Sequence, residues 1–157
     1  MYIRRTLALV LGLMLPCGLS SAAKHPIVVK KDAAPIHAIG GGTGQAKLFF
    51  NATNGSERTA LSVLTLSYGM KVPTHHHGDS DELIYVLSGV MEMTVAGTAY
   101  TVRAGDAIRI PAGVEHTAAV ASKDEPVRAV QIYAVPGPEQ RFAKGPLVKA
   151  DQDKSMP

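Results

Sequence analysis

The sequence predicts an all-β sandwich or barrel, on three observations. Short apolar runs alternate with turn formers from residue 46 onward, no run carries a convincing helical period, and each run has the length of an ordinary strand. The first strands are expected over 46–50 and 59–67, divided by Asn54-Gly55. Those over 83–87 and 90–95 are divided by Ser88-Gly89, and 99–102 follows Ala96-Gly97. The strand over 107–110 follows Ala104-Gly105-Asp106, 115–121 comes next, and 127–135 follows Ser122-Lys123-Asp124. The alternation around Glu82 sends Ile84 and Val86 inward with it and Leu83, Tyr85 and Leu87 outward. A strand apolar on both faces calls for cover on both, from a second sheet or from another copy of the chain, so a homodimer is expected.

With 157 residues, 46% hydrophobic and 18% charged, the chain has the balance of one globular domain rather than a disordered one. Residues 1–23 read as a secretion signal: Arg4-Arg5 form a positive start, Leu7 to Leu15 an apolar core and Ser21-Ala22-Ala23 a small-residue cleavage pattern. The apolar core is short for a bilayer and Pro16 interrupts it, so no lasting membrane anchor is expected. Pro16 ahead of Cys17 also argues against a lipid-anchored cysteine. Arg4-Arg5 before Thr6-Leu7 is a weak twin-arginine pattern, which would mean export after folding. The expected organisation is a signal over 1–23, a flexible Pro-, Ala- and Gly-rich lead-in over 24–45, one domain over 46–145 and a polar tail over 146–157. Gly40-Gly41-Gly42-Thr43-Gly44 lacks the following Lys and Ser/Thr of a phosphate loop and reads as a turn.

Removing Arg4 and Arg5 from the 16 basic residues leaves 14 against 13 acidic ones, and the cleaved chain carries no cysteine. Nucleic-acid binding has no support, since there is no basic stripe with interleaved aromatics. Disulfides, thiolate ligands and cysteine catalysis are excluded for an exported, periplasmic or secreted product.

The histidines carry the chemistry. His75-His76-His77 precede the turn formers Gly78 to Asp81, then Glu82, and His116 stands just beyond Pro111-Ala112-Gly113. On a strand His75 and His77 share a face while His76 points away, and Glu82 opens what reads as a returning antiparallel strand beside them. Three imidazoles and one carboxylate form a mixed N/O set suited to one divalent transition metal: iron, manganese, nickel, copper or zinc. Asp79 and Asp81 are the alternative carboxylates, but in a turn they more naturally cap backbone N–H groups. Met91 and Met93 read as core fillers, His25 and His37 as loop residues.

Gly69, His75-x-His77, Glu82 and Gly89, at their spacings, resemble the first signature motif of the cupin superfamily. Gly105, Pro111-x-Gly113 and His116 resemble the second, which usually ends in Asn where this chain has Val120. The resemblance covers about residues 60–135 and implies a double-stranded β-helix, or jelly-roll, barrel with His75, His77, Glu82 and His116 on one metal. It implies a small-molecule ligand but not a reaction: metal cupins include dioxygenases, decarboxylases, isomerases and binding proteins. A dioxygenase of quercetinase-like type, with Glu82 as ligand and proton acceptor, is one expectation; a non-catalytic metal and carboxylate binder or sensor, or a metal-dependent decarboxylase or isomerase, is the other. Gln131, Tyr133 and Tyr100 are candidate hydrogen-bonding groups, though each more often serves as a structural polar group. Arg141, in the arm over 136–145, is a candidate contact for an anionic substrate, against a solvated tail or dimer arm.

Overall fold

The computed structural model describes residues 26–149, 152 and 153. The predicted signal and His25 lie outside the described residues. Ten strands form two antiparallel sheets: β1 (Ile36–Ile39), β2 (Gly44–Phe50), β3 (Ala60–Leu66), β4 (Lys71–His75), β5 (Asp81–Ser88), β6 (Val90–Val95), β7 (Thr98–Arg103), β8 (Ala107–Ile110), β9 (His116–Val120) and β10 (Val127–Ala134). One sheet has the order β1-β2-β3-β10-β5-β8 and the other β4-β9-β6-β7. This two-sheet arrangement with almost no helix is a jelly-roll barrel.

Local chemistry accounts for the elements. β10 alternates buried and half-buried residues along its length, and β5 buries Glu82, Ile84 and Val86. β6 turns into β7 through Ala96 and Gly97, both with positive φ (48° and 78°), the two-residue hairpin turn whose twist matches the strands. The core fills the space between the sheets with Leu48, Leu64, Ile84, Val86, Met91, Met93 and Val127 among others, so the methionines are core fillers as expected.

Three expectations change. The sheet begins at Ile36 rather than at residue 46: β1 pairs with β2 from Ile36↔Lys47 to Ile39↔Gly44. His37 is therefore a buried strand residue, with Nδ1 2.9 Å from the Gly145 carbonyl. Second, β4 and β5 do not form a hairpin. They lie in different sheets, and residues 76–80 carry the chain across the barrel. Third, the segment after the barrel is docked where it is described. A 3-10 strap over Pro138–Lys144 is followed by extended backbone bonded to β1, with Ala38 N–H to the Pro146 carbonyl at 2.9 Å and Val148 N–H to the Ile36 carbonyl at 2.8 Å. Lys47 and Asp153 then pair at 2.9 Å, both side chains largely buried.

The inner face of the larger sheet is graded. Leu64, Val86 and Ala129 are apolar, but further along the same strands stand Ser62, Glu82, Gln131 and Tyr133, all buried. The barrel thus has a polar end, and the histidines meet it from the other sheet.

Candidate metal centre

Strand register sets His75 across from His116. Between Val72 and His75 the pairing of β4 with β9 slips. Residues three apart on a regular strand face opposite ways, yet Val72 packs against the core and His75 also turns into the barrel; the irregularity restores the parity. Pro73 suits this place on an edge strand, having no N–H for a ladder. His77 lies beyond the end of β4, so strand alternation is not what aims it. Its carbonyl accepts the Gly113 N–H at 2.7 Å, which fastens the His77 segment to the turn ahead of His116. Gly113 has φ +76°, a conformation that a glycine takes without strain. His76 points away and is exposed, as expected.

Asp81 stabilises the same junction and is not part of the cluster. Its Oδ1 accepts the Ala112 N–H at 2.8 Å and its Oδ2 the Arg109 Nε–H and Nη2–H at 2.9 and 2.7 Å. The Ala112 N–H and the Arg109 guanidinium hold its carboxyl below the usual carboxylate value. Asp79 is exposed in the turn.

One ligand atom from each of His75, His77, Glu82 and His116 lies within 4.8 Å of the others. The imidazole centroids are 4.1 to 5.2 Å apart. Nδ1 of His75 is 2.9 Å from the Pro73 carbonyl and Nδ1 of His116 is 2.9 Å from the Val114 carbonyl, each two residues upstream. A carbonyl only accepts, so these nitrogens carry the hydrogen and each Nε2 presents a bare lone pair. The Nε2 atoms of all three histidines are buried and have no hydrogen-bond partner. Those of His77 and His116 stand 3.3 and 3.0 Å from Glu82 Oε2. Lone pairs this close, away from water, repel unless a proton or a cation lies among them. The donor set therefore fits one divalent transition ion.

Glu82 is braced from behind. Its Oε1 accepts from the Gln131 amide and from the Tyr133 hydroxyl, the latter at 3.2 Å. The Tyr133 oxygen accepts from Gln131 at 2.9 Å and from Arg141 Nη2 at 2.9 Å, and Gln131 Oε1 accepts from Ser62 at 3.1 Å. With Oε1 engaged, Oε2 is left facing the imidazoles. Burial opposes ionisation of Glu82, but His116, His77 and Gln131 outweigh it and hold the carboxyl well below its usual range. Burial also opposes protonation of His116, and there Glu82 and the Val114 carbonyl prevail, raising its pKa. At His75 burial prevails and lowers it. Burial pushes the Tyr133 hydroxyl far up, so it stays a proton donor to Glu82.

Gln131 and Tyr133 thus take the structural use weighed for them, bracing Glu82, while Tyr100 is exposed and lines a separate surface cleft with Asp106 and Arg109. Val120, in place of the motif's Asn, is a buried core residue. Arg141 neither trails in solvent nor forms an arm: its guanidinium reaches the Tyr133 hydroxyl and lies 4.7 Å from the Phe142 ring centroid. The sequence did not reveal the cavity of about 720 Å³ that opens from the cluster, walled by both sheets, the Gly40–Gly42 turn and the strap.

Comparison with known proteins agrees with this geometry. Residues 62–133 match the family described as Cupin domain. A 72-residue stretch, 46% of this chain, is 33% identical to the quercetin 2,3-dioxygenase of Bacillus subtilis (strain 168), but spans only 21% of that protein. An RmlC-like cupin from Shewanella frigidimarina superposes with a TM-score of 0.61 at 19% identity, covering 74% of this chain and 96% of that one. A Thermotoga maritima protein described as a predicted oxalate decarboxylase superposes with a TM-score of 0.62 at 16% identity, covering 69% and 99%. No helix among the described residues is long and apolar enough to cross a membrane. The family match spans just under half of the chain and takes in His75, His77, Glu82 and His116, and the structural neighbours share the cupin fold.

Proposed function

We propose that this chain is an exported metal-dependent cupin in which His75, His77, Glu82 and His116 hold one divalent transition ion and act on a small oxygenated molecule, as a quercetinase-like dioxygenase. The observation that carries the metal is the convergence of three buried Nε2 atoms, none with a hydrogen-bond donor, and one carboxylate within 4.8 Å of one another. When bound, the ion supplies Lewis acidity toward an oxygen of the substrate. The protein supplies the rest. The apolar barrel wall excludes water, Gln131 and Tyr133 fix the orientation of Glu82, and the backbone carbonyls of Pro73 and Val114 fix the tautomers of two imidazoles. Glu82 is the proposed acceptor of the substrate's enol proton: the enol O–H bond breaks and a carboxyl O–H forms. The partial likeness to a quercetin 2,3-dioxygenase favours this reaction class.

A specific observation also favours a second reading, a non-catalytic binding cupin: among the described residues lining the cavity Glu82 is the one carboxylate, so there is no second carboxyl to share acid and base roles with it. Oxygen uptake by metal-loaded protein with a flavonol-like enol separates the two. Uptake that Glu82→Gln abolishes while the metal is retained supports the dioxygenase and the proton-accepting role. Unchanged turnover in that variant sinks the role, and ligand retention without uptake selects the binding protein. Elemental analysis of protein taken from the exported fraction, with its first residue identified, tests the ion and cleavage after Ala23 together. A metal-free protein beginning at Met1 would defeat both.

A further inference from the structure

The polar groups lining the cavity are unevenly distributed. Apart from His75, His116, Glu82 and the Gln131 that braces it, the side chains with polar heads are Lys71, Arg141 and Lys144, which are all cations and all solvent-exposed. The remaining wall is apolar, with Leu64, Leu66, Ile84, Met91, Met93 and Phe142 in it. Lys71 begins β4, while Arg141 and Lys144 sit on the strap, so the cations belong to the mouth and the apolar surface to the body.

Arg141 is placed to meet a ligand. Its guanidinium has five N–H donors, and its hydrogen bond among the described residues is the one from Nη2 to Tyr133. The guanidinium carbon lies 4.7 Å from the centroid of the buried Phe142 ring, a cation–π contact that keeps the charge beside the cavity. Through Tyr133 the guanidinium stands two hydrogen bonds from Glu82, so one molecule can touch both the cluster and Arg141. A cavity of about 720 Å³ is the size of a drug-like ligand site, far more room than a two-carbon dicarboxylate fills.

We infer that the barrel selects an amphiphilic oxyanion, an aromatic or similarly bulky apolar body bearing one carboxylate or enolate, and that Arg141 is the residue that reads the negative charge. This deepens the small-molecule part of the proposed function and rests on that part alone, not on the ion. The anion's oxygens replace water on the free guanidinium donors, and its rings cover the Leu, Ile and Met wall. A neutral molecule of the same shape gains the second contact only.

Calorimetric titration of the purified protein, stripped of metal by chelation, with naphthoate, naphthamide and oxalate provides the test. Naphthoate is expected to bind, with affinity falling about tenfold or more in Arg141→Gln and largely restored in Arg141→Lys, while naphthamide binds weakly and equally to all three. Oxalate is not expected to compete. Naphthoate binding wild type and Arg141→Gln alike would overturn the role of Arg141, and oxalate displacing naphthoate at equal concentration would overturn the size argument. Titrating the same samples with zinc alone, followed by elemental analysis, reports on the four-residue cluster separately. Loss of that binding would defeat the metal reading and leave the oxyanion proposal standing.

Discussion

At the scale of single residues, protons and a metal compete for the same lone pairs. His116 is the sensitive member, because Glu82 and the Val114 carbonyl raise its pKa above the ordinary 6.5 despite burial. A raised pKa adds stability to the metal-free fold that is fully present below 6.5 and is lost as pH climbs through the raised value. The ion needs the neutral imidazole, so its binding becomes easier over the same range. His75, with its pKa lowered, does not compete there. Glu82 acts outside the window: its depressed pKa adds stability present above the ordinary 4.5 and lost only as pH falls through its lower folded value. The expected result is that the rise in melting temperature on adding zinc or cobalt grows from about pH 6 to about pH 8, while the chelated protein alone melts lower as pH rises above the ordinary 6.5, below which, as pH falls, the loss of His75's contribution opposes the gain from His116. Thermal melts across that range, with and without a chelator, check both halves. A metal-induced gain that stays flat would show that His116 does not gate the site. His75, His77, Glu82 and His116 were all legible in the sequence, as was the candidacy of Gln131 and Tyr133. The place of Arg141 was not, because it depends on where a strap far along the chain lands.

At the scale of elements, the strap is held to the barrel by a close approach. Gly145 is packed so tightly that a Cβ there would stand 2.0 Å from the Ala38 carbonyl oxygen, and its own carbonyl is 2.9 Å from His37 Nδ1. Gly145→Ala should therefore push the backbone after the strap off β1. The expected cost is about 1–3 kcal/mol in urea unfolding, with faster amide exchange at Ala38 and Val148. Unchanged exchange at those two amides would mean that the contact opens without consequence. The eight apolar runs appear as strands at or near their predicted places, with the alternation of buried and more exposed residues cleanest along β5 and β10. β1 was missed because Ile36–Ile39 is short and lies between Pro35 and the glycine run, composition that also suits a linker. The hairpin expected between the histidines and β5 failed for a different reason: Gly78 to Asp81 specify a change of direction, not which sheet receives the next strand. The spacing of His75 and His77 nevertheless pointed to the right pair, though the β4–β9 irregularity and the Gly113 contact do the aiming.

At the scale of the whole molecule, the outer face of the six-stranded sheet is left over. Leu83, Tyr85 and Leu87 on β5 are 38%, 47% and 43% exposed. The register places Ile132 beside Leu83 and Val130 beside Tyr85, then Leu61 and Val63 beyond them, so the apolar surface runs three strands wide. A solvated face of an antiparallel sheet is ordinarily polar, and a contiguous apolar patch on one marks an interface. An identical face related by a two-fold axis would offer self-complementary cover, and the homodimer expected from the sequence is therefore kept as a prediction. The prediction is that the protein sediments at twice the mass of one chain at micromolar concentration, and that Tyr85→Glu shifts it to a single chain while the far-ultraviolet spectrum and zinc binding persist. The glutamate sets like charges across the axis without entering the core, so a fall in mass with the fold intact reports the interface and not unfolding. Wild-type protein sedimenting as one chain would leave the stripe bare in water and refute the dimer. If the dimer forms, the strap and the cavity mouth stay free, because β5 turns only Glu82, Ile84 and Val86 toward the barrel and gives its other side to the partner.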